Sequence, residues 1–557
     1  MMEELVKIYC KNTKSYHEYP FGTSLINIYK SLNVKLKYQV VAARVNHKVS
    51  DLNFFVYKPK DIEFIDLSDP AGMRVYVRTL CMVLSKAVAE LYPSANLCIQ
   101  HPIAKGYYCK IENLNQKLDE NVIQKIKLRV QEIILQKKTI VCEEQQTVIV
   151  RDLFLNSPNN EDKVALFDSI GTPYCRYFKI DDYIDYYNSA LLPSTDYLNI
   201  FDLVPYYDGM LLVRPDSNNP SKLENVEYLP KIYDIFKEYK GWNKILNMST
   251  VGEFNIACKN GEVHDLIKVS EALHEKKVAK IADMIAERTE KIQLVLIAGP
   301  SSSGKTTFSK RLSIQLMVSG LKPVAISLDN YFVDREFTPL DENGDWDFEH
   351  LHALDLALFN QHLSQLLRGE EVDIPTFNFE TGKRGASKQK LKLTDESVLV
   401  IEGIHGLNPE LVSEIPSSKI FKIFVSALTT IALDNHNWIP TTDTRLLRRI
   451  IRDYKYRNYS ARETISRWPS VGRGEEKWIF PYQENADVMF NSALLFELAV
   501  LKKFAEPILA EVPKYCDEYS ETHRLLKFLN YFVPIQDREI PPTSLLREFV
   551  GGSSFSY

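Results

Sequence analysis

A glycine- and serine-rich loop between an apolar strand and a helix most constrains what this chain can fold into. The loop reads GPSSSGKT over residues 299–306, after the apolar run Leu294 to Ala298 and before the helical pattern FSKRLSIQLMVS. Glycines let backbone N–H groups curl around an anion, and the N-terminus of a helix adds partial positive charge. The pattern therefore predicts a phosphate-binding loop in an α/β domain.

Each position of this loop has an expected task if the loop holds a nucleotide. Lys305 is expected to reach the β- and γ-phosphates, and the Thr306 hydroxyl is expected to ligate Mg²⁺. A Gly/Ser-rich turn without a ligand is the alternative, although strand, helix and Lys-Thr pair stand in the required order. The predicted nucleotide-binding positions are Gly299, Ser301, Ser302, Ser303, Gly304, Lys305, Thr306 and Thr307.

Four apolar segments downstream of the loop alternate with helical patterns and predict strands of a parallel, doubly wound sheet, namely PVAISLD, DIPTFNF, SVLVIEG and IFKIFVSA.

Two carboxylates follow such strand patterns. Glu402 ends SVLVIEG (397–403), where an acid can ligate Mg²⁺ or polarise its waters. Asp329 ends PVAISLD (323–329), at the carboxyl edge of the sheet, where open α/β folds bind ligands. A carboxylate there can accept a proton from an attacking hydroxyl, and the alternative for Asp329 is a helix N-cap. No Asn-Lys-x-Asp motif follows the loop, which argues against a GTPase.

An arginine-rich stretch follows the predicted strands. Between Arg445 and Lys477 there are ten Lys or Arg residues and four Asp or Glu residues. A solvated helical face is one interpretation of such a run. Because most of these cations are arginines, which suit bidentate phosphate recognition, the stretch also fits a lid that closes over phosphates.

Composition limits the remaining classes of protein. A chain of 557 residues is expected to form about three or four domains. The formal charge of -5 gives no overall basic excess that would indicate a nucleic-acid-binding protein. Eight scattered cysteines without a CxxC pair fit reduced thiols, and neither a signal peptide nor a membrane-spanning run is present. The sequence thus predicts a cytoplasmic protein that does not enter a membrane.

Six ordered motifs within residues 290–515 resemble the uridine kinase/phosphoribulokinase family. The resemblance implies transfer of the γ-phosphoryl group of ATP, with Mg²⁺, to a sugar hydroxyl, which in uridine kinases is the nucleoside 5′-hydroxyl. The motifs are GPSSSGKTT, SLDNYF, FEHLHALD, IPTFNF, VIEGIHG and TRLLRRIIRD.

The same resemblance assigns roles to individual residues. Asp329 falls on the family's catalytic acid/base and Arg445 on an arginine near the reacting hydroxyl, so that these two and Lys305 are the predicted catalytic residues. Glu349 falls on a carboxylate that grips the ribose hydroxyls. Thr306 and Glu402 are the predicted Mg²⁺ ligands. The lid positions expected to bind ATP are Arg448, Arg452 and Arg457.

The acceptor pocket departs from the uridine kinase pattern. Phe332 and Phe377 stand where those kinases have tyrosines, Gly382 stands where they have a base-contacting histidine, and Arg467 replaces a lid glutamine. Buried hydrogen-bonding partners discriminate substrates strongly, so pyrimidine specificity is not expected. The two phenylalanines fit base stacking and an ordinary core equally well. The predicted substrate-binding residues are Glu349, Phe332, Phe377, Arg445 and Arg467.

The N-terminal half is similar to the first two domains of threonyl-tRNA synthetases. HEYPFGTSLINIYKSLN with VVAARVNHKVSDLNFFV resembles a TGS domain, and LSKAVAELYPSANLCIQHPIAKGYYCKIE resembles the editing-type second domain. The four metal-ligand positions of that domain fall on Arg78, Met82, Tyr187 and Leu191, so neither zinc nor hydrolytic editing is expected. Binding of RNA or tRNA and a purely structural role both remain open for this half.

The sequence as a whole predicts a multidomain protein of α+β and α/β class. We expect a TGS-like β-grasp domain (1–67), an editing-like α+β domain (68–250), a helical linker (251–290) and a doubly wound parallel-sheet P-loop kinase domain (291–557). The expected activity is ATP-dependent phosphorylation of a nucleoside. A phosphoribulokinase-like sugar-phosphate kinase and an RNA- or tRNA-binding regulator that uses ATP as a switch are the alternatives. Assembly into a homo-oligomer is left open.

Overall fold

A mixed five-stranded sheet crossed by one helix begins the chain. The computed structural model describes residues 4–288, 291–394, 396–412 and 415–557. The elements here are strands β1 (Leu5–Cys10), β2 (Ser15–Pro20), β3 (Thr23–Ser24), β4 (Val40–Val45), β5 (Lys48–Ser50), β6 (Phe55–Val56) and β7 (Lys60–Asp66) and helix α1 (Leu25–Ser31). The sheet order is β2-β1-β7-β4-β5, with β1 parallel to β7. Alternate residues of β1 (Val6, Ile8 and Cys10) pack with Leu25 and Ile28 of α1.

Two antiparallel sheets and five helices follow. The elements are α2 (Pro70–Leu91), β8 (Asn96–Ile103), β9 (Gly106–Glu112), α3 (Glu120–Leu135), β10 (Val141–Gln146), α4 (Thr147–Leu155), α5 (Glu161–Ser169), β11 (Tyr174–Ile180), β12 (Tyr183–Asp185), β13 (Asp202–Tyr206), β14 (Gly209–Val213) and α6 (Pro230–Ile245). Asp69 caps α2 by accepting a hydrogen bond from the Ala71 N–H, with Pro70 at the first helical position. The sheets have the orders β13-β14-β9-β8 and β10-β11-β12.

Two helices then lead into a parallel sheet. They are α7 (Val251–Lys259) and α8 (Val263–Ala286), and the elements after them are β15 (Leu294–Ala298), α9 (Lys305–Val318), β16 (Lys322–Ser327), α10 (Leu356–Leu367), β17 (Val372–Asn378), β18 (Lys383–Leu391), β19 (Ser397–Glu402), β20 (Ile420–Ser426), β21 (Ala432–Asp434), β22 (Asn437–Trp438), α11 (Thr441–Tyr456), α12 (Ala461–Trp478), β23 (Val488–Asn491), α13 (Glu497–Ala510), α14 (Tyr519–Leu529) and α15 (Arg547–Val550). Short 3₁₀ segments lie at Thr195–Tyr197, Leu328–Tyr331, Arg335–Phe337, Leu351–Ala353, Ser417–Lys419 and Phe480–Asn485.

The parallel sheet has the order β16-β19-β15-β20-β23, and all of its pairs are parallel. Its central strand is covered on both faces, because Val295 and Ile297 pack with α8 and α9, whereas Leu294 and Leu296 pack with α10. Continuous apolar strands are typical of such sheets. The predicted parallel α/β sheet of the C-terminal region is confirmed.

One predicted strand of this sheet lies elsewhere. The segment DIPTFNF forms β17, which pairs antiparallel with β18 in a separate hairpin. Pro375 lacks a backbone N–H, and the register of the hairpin shifts between Ile374 and Thr376. The fifth strand of the sheet is instead β23, a four-residue strand that the sequence analysis did not identify.

The N-terminal elements and the parallel-sheet region share buried contacts. Lys163 on α5 is 0% exposed, and its Nζ lies 3.5 Å from an Asp185 oxygen on β12 and 4.0 Å from an Asp434 oxygen on β21. His436 completes this polar cluster through a 2.8 Å hydrogen bond with Asp185. An apolar core extends from Leu166 and Phe254 to residues of α11. The boundaries expected at residues 67, 250 and 290 stay predictions.

All eight cysteines are free thiols. Across the described part of the chain, no helix is both long enough and apolar enough to cross a membrane.

Candidate functional site

The glycine-rich loop joins β15 to α9 at the carboxyl edge of the parallel sheet. A Cβ at Gly299 would lie 2.0 Å from the Val425 carbonyl oxygen, so only glycine fits there. Gly304 has a φ of +83°, in the left-handed region that favours glycine. The hydroxyls of Ser302 and Ser303 are buried and have no hydrogen-bond partner within the described residues. The loop therefore offers polar atoms that its own chain leaves unpaired.

Lys305 and Thr306 begin α9 and lie near two acidic residues. The Lys305 Nζ donates to the Pro300 carbonyl at 3.2 Å. Burial lowers the pKa of Lys305, and the charges of Glu402 and Asp329 oppose that effect. The Thr306 hydroxyl donates to Glu402 at 3.3 Å. The loop lysine and hydroxyl predicted from the sequence thus lie beside the predicted carboxylates.

Glu402 and Asp329 come together from neighbouring strands. Glu402 ends β19 and also accepts a 2.8 Å hydrogen bond from Ser327 at the end of β16. Asp329 lies in the 3₁₀ turn after β16, and its N–H donates to the Ser327 hydroxyl. Burial raises the pKa of Glu402, and the nearby Asp329 raises it further. Two neighbouring carboxylates at the carboxyl edge of the sheet are suited to a cation.

These oxygens fit Mg²⁺ bound in the manner of nucleotide kinases. Mg²⁺ in such sites takes one or two protein oxygens and completes its shell with waters and phosphates. Thr306 and Glu402 supply oxygens of that kind, joined by their own hydrogen bond. No group of three or more His, Cys, Asp or Glu side chains suited to a metal occurs among the described residues.

Two further carboxylates, which the sequence analysis did not single out, contact the loop. Glu475 on α12 accepts a hydrogen bond from the Ser301 N–H at 3.0 Å. Glu548 on α15 accepts from the Thr307 N–H at 3.2 Å and from the Thr307 hydroxyl at 2.7 Å. The hydroxyl of Tyr557 lies 2.8 Å from the same Thr307 hydroxyl. Backbone amides that could bind phosphate are therefore paired with carboxylates of the chain itself.

The first two arginines of α11 are deeply buried and paired. Arg445 donates bidentately to Glu475, at 2.5 and 2.7 Å, and also to the Ser301 carbonyl at 3.2 Å. Arg448 is 0% exposed and donates to Glu497 at 2.7 and 2.9 Å. Arg448 also lies 3.4 Å from the Ser302 carbonyl. Both guanidinium groups therefore contact the loop backbone while they neutralise carboxylates.

The remaining lid arginines gather around Asp453. Burial alone would raise the pKa of Asp453, but the charges of Arg452, Arg449 and Arg457 hold it below its usual value. Arg449, which the sequence analysis left without a role, donates to the Ser301 hydroxyl at 2.9 Å. Arg467 is not part of this group, because it is exposed on α12 with its guanidinium 5.0 Å from the Tyr459 ring centroid.

Three phenylalanines form an aromatic cluster between the 3₁₀ turn after β16 and β17. The ring centroid of Phe377 lies 5.5 Å from that of Phe332 and 5.3 Å from that of Phe379. The guanidinium of Arg457 lies 4.4 Å from the Phe379 ring centroid. Arg335 donates to the Phe379 carbonyl at 2.8 Å. Phe332 is a buried member of a hydrophobic core, and Phe377 and Phe379 are half-buried and pack against that core.

Arg335 also occupies the space beside Gly382. A Cβ at Gly382 would lie 2.6 Å from the Arg335 Nε, and Gly382 has a φ of +68°. The position that matches a base-contacting histidine in uridine kinases thus presents an arginine side chain from another segment. No local sequence signal points to this arginine, because it is far from Gly382 along the chain.

Glu349 is half-buried under the lid. A Cβ at Gly474 of α12 would lie 2.4 Å from the Glu349 Cβ, so the helix and this segment are in close contact. Burial raises the pKa of Glu349 to about 7, and the neighbouring Glu475 and Asp347 add to the rise while Arg449 opposes it. The Trp478 Nε1 donates to Asp347 at 3.1 Å and fastens the end of α12 to the same segment.

The four positions compared with synthetase metal ligands lie in or beside an apolar core. Met82, Tyr187 and Leu191 are buried members of one hydrophobic cluster. Arg78 donates a hydrogen bond to the Asn188 side chain. The absence of zinc, the similarity to TGS and editing domains, and an RNA contact of this half all stay predictions.

Comparison with known proteins concerns the C-terminal region. Residues 294–496 match the family described as Phosphoribulokinase / Uridine kinase family. A uridine kinase of Halobacterium salinarum is 29% identical over 195 residues, which are 35% of this chain and 77% of that protein. A uridine kinase of Ureaplasma parvum serovar 3 is 28% identical over 197 residues, 35% of this chain and 86% of that protein.

A solved structure, D-glycerate 3-kinase from Cryptococcus neoformans, aligns with a TM-score of 0.20 and 15% identity over 50% of this chain and 89% of that chain. The sequence matches show that the C-terminal region carries a phosphoribulokinase/uridine kinase family domain, which supports a kinase-like phosphotransferase.

Proposed function

We propose that this protein is an ATP-dependent kinase that transfers the γ-phosphoryl group to a hydroxyl of a nucleoside. The observation that carries the proposal is the grouping of Lys305, Thr306, Glu402 and Asp329 at the carboxyl edge of the parallel sheet. Phe377 and Phe379, which are half-buried near this edge, provide apolar faces on which a base can stack.

The residues divide the work of the reaction among them. Lys305 and the loop amides would hold the phosphates, and a bound Mg²⁺ would neutralise charge on them, with Thr306 and Glu402 as its ligands. Asp329 would accept the proton of the acceptor hydroxyl as its oxygen forms the new bond to the γ-phosphorus. The bond between that phosphorus and the β–γ bridging oxygen breaks, and ADP leaves.

ATP binding would require an exchange of partners at the loop. The Ser301 and Thr307 amides are paired with Glu475 and Glu548, and phosphates would compete for the same N–H groups. Displacement of Glu475 would break its ion pair with Arg445 and leave that arginine free to interact with phosphate. The lid arginines Arg448, Arg452 and Arg457 would then lie beside the bound nucleotide.

The test is Asp329→Asn, which keeps the size and polarity of the side chain but removes the base. Loss of a general base costs about 10²–10⁴-fold in rate. We expect acceptor-dependent ATP turnover to fall by that factor, while the dissociation constant of ATP, measured by calorimetry, changes little. The matched control is Asp373→Asn, an exposed aspartate on β17.

Two other outcomes would redirect the proposal. Loss of ATP affinity in Asp329→Asn would place this residue among the Mg²⁺ ligands instead. Unchanged acceptor-dependent turnover would remove Asp329 from the mechanism and favour a regulator that uses ATP as a switch.

A sugar-phosphate kinase is the second candidate. A phosphorylated acceptor needs cations near its binding site, and both Arg335 and Arg457 contact Phe379, the first at its carbonyl and the second at its ring. Screening ATP consumption against nucleosides and sugar phosphates separates the two candidates. If Arg335→Met lowers turnover of sugar phosphates only, the second candidate is correct. If a base stacks on Phe377, Phe377→Leu should instead lower turnover of nucleosides.

A further inference from the structure

A cavity lies outside the kinase site, between helix α6 and strands β8 and β9. Its volume is about 180 Å³, and its walls include His101 from β8, Lys110 from β9 and three lysines from α6. A water needs about 10–15 Å³ of such space, so the cavity can hold a small molecule. It is lined by residues to which neither the kinase site nor the synthetase resemblance gives a role.

The walls of the cavity carry more positive than negative charge. Lys237, Lys240 and Lys244 recur on one face of α6, at the spacing of successive helical turns. Glu112 pairs with Lys244, and Asp208 pairs with Lys110 at 2.8 Å and lies 3.9 Å from Lys237. Lys240 has no carboxylate within ion-pairing distance among the described residues. One half-buried ammonium group is therefore left for an anion.

His101 supplies a second, independent sign of a ligand. His101 is only 3% exposed, and its ring stacks on that of Phe236 with the two ring centroids 3.6 Å apart. Neither ring nitrogen has a hydrogen-bond partner in the described structure. Buried polar atoms are almost always paired, so these two nitrogens, at the wall of a cavity, point to a molecule that completes them.

We propose that this cavity binds a phosphate group, either as inorganic phosphate or as part of a small phosphate monoester, with Lys240 as its counter-charge and His101 as its hydrogen-bonding partner. A neutral imidazole presents one donor and one acceptor. A phosphate that keeps one proton can satisfy both, because its P–OH group donates and its other oxygens accept, whereas a carboxylate offers only acceptors. Burial, together with the charge of Lys240, holds the pKa of His101 well below its usual value and keeps the ring neutral.

The helix also leaves room for such a ligand. Gly241 stands inside α6 at the cavity wall, and a Cβ there would meet nothing within 4 Å. Glycine inside a helix is less favourable than alanine. No close neighbour requires glycine at this position, and its lack of a side chain keeps the wall of the cavity open.

The test measures phosphate binding by calorimetry with the full chain. Every variant carries Lys305→Ala, so that the phosphate loop contributes less to the signal. We expect inorganic phosphate to bind and Lys240→Met to weaken it by about ten- to hundredfold, the usual contribution of a charge-assisted hydrogen bond. The matched control is Lys268→Met, an exposed lysine on α8, which should leave the affinity unchanged. Equal affinities in the two lysine variants would overturn the proposal.

Two more variants separate binding from folding. His101→Phe keeps a ring that can stack on Phe236 and removes the unpaired nitrogens, so we expect an unchanged or higher melting temperature together with weaker phosphate binding. Gly241→Leu should favour the helix and narrow the cavity, again with weaker binding. If phosphate binds both variants as tightly as the parent, the cavity is not the site. Tighter binding of glycerol 3-phosphate than of inorganic phosphate would identify a monoester as the ligand, and the reverse order would identify free phosphate.

Discussion

Glu349 combines a proposed contact with the acceptor and an unfavourable environment for its charge. It lies against Gly474 of the lid and near Glu475 and Asp347. Burial raises its pKa from 4.5 to about 7. At a pH between these two values, Glu349 therefore carries a proton in the folded protein but not in the unfolded chain. The stability that protonated Glu349 contributes is complete below the unfolded pKa and is lost as the pH rises through the folded one.

We expect Glu349→Gln to stabilise the protein at alkaline pH. At about pH 8 the ionised carboxylate is the unfavourable form, so the variant should melt at a higher temperature than the wild type, and near pH 4.5 the difference should disappear. Thermal unfolding followed by circular dichroism at both pH values measures this. Glu336→Gln, an exposed glutamate, is the control. If the melting temperatures of variant and wild type differ by the same amount at both pH values, the charge of Glu349 is well compensated in the folded state.

At the scale of elements, the short helix α15 and the residues after it act on the phosphate loop. Glu548 and Tyr557 both contact Thr307. The Lys455 Nζ donates a hydrogen bond to the Val550 carbonyl at 2.5 Å. In the proposed mechanism, the loop binds ATP once these partners have withdrawn from Thr307. Since the apparent affinity falls with the fraction of competent molecules, the segment should weaken nucleotide binding.

We expect Glu548→Gln to bind ATP more tightly than the wild type. The variant loses the negative charge that competes with phosphate at the Thr307 amide, and each ~1.4 kcal/mol by which the carboxylate stabilises the closed loop corresponds to tenfold in affinity. Calorimetric titration with a non-hydrolysable ATP analogue measures the change. The control is Glu511→Gln, which should bind ATP as tightly as the wild type does. Glu511 accepts a hydrogen bond from the Tyr454 hydroxyl. Weaker binding by Glu548→Gln would mean that this carboxylate supports the nucleotide site.

The elements differ in how well the sequence predicts them. β15, β16, β19 and β20 follow from continuous apolar runs, and the loop follows from its spacing, since both signals are local. The hairpin of β17 was misplaced because its apolar residues resemble a sheet strand, whereas Pro375 was the available signal against it. Glu475 and Glu548 reach the loop only through the packing of α12 and α15. A single sequence contains no record of that packing.

At the scale of the whole molecule, the cluster around Lys163 joins the two halves of the chain. Its carboxylates come from α5 and β12 on one side of the boundary expected near residue 290, and from β21 on the other side. Removing one partner of a buried ion pair leaves a buried charge without compensation. The stability of each half should therefore depend on the other.

We expect Lys163→Met to destabilise the protein by about 3–5 kcal/mol, the usual cost of breaking a buried ion pair. Urea denaturation followed by circular dichroism measures this, and a single transition should report the unfolding of both halves. Lys179→Met breaks a partly exposed pair with Glu143 and should cost about 1 kcal/mol or less. A loss for Lys163→Met no larger than that of the control would mean that water reaches the cluster.

The position of α11 has a consequence for how the chain can evolve. One side of this helix presents Arg445 and Arg448 to the phosphate loop, and its apolar residues belong to a core that also includes Leu166 of the N-terminal half and Phe254 of α7. A substitution in α5 or α7 that changes the volume of this core should move α11 and with it the two arginines. A compensating change in α11 would restore their position. We therefore expect the interface residues of the two halves to covary among descendants of this gene.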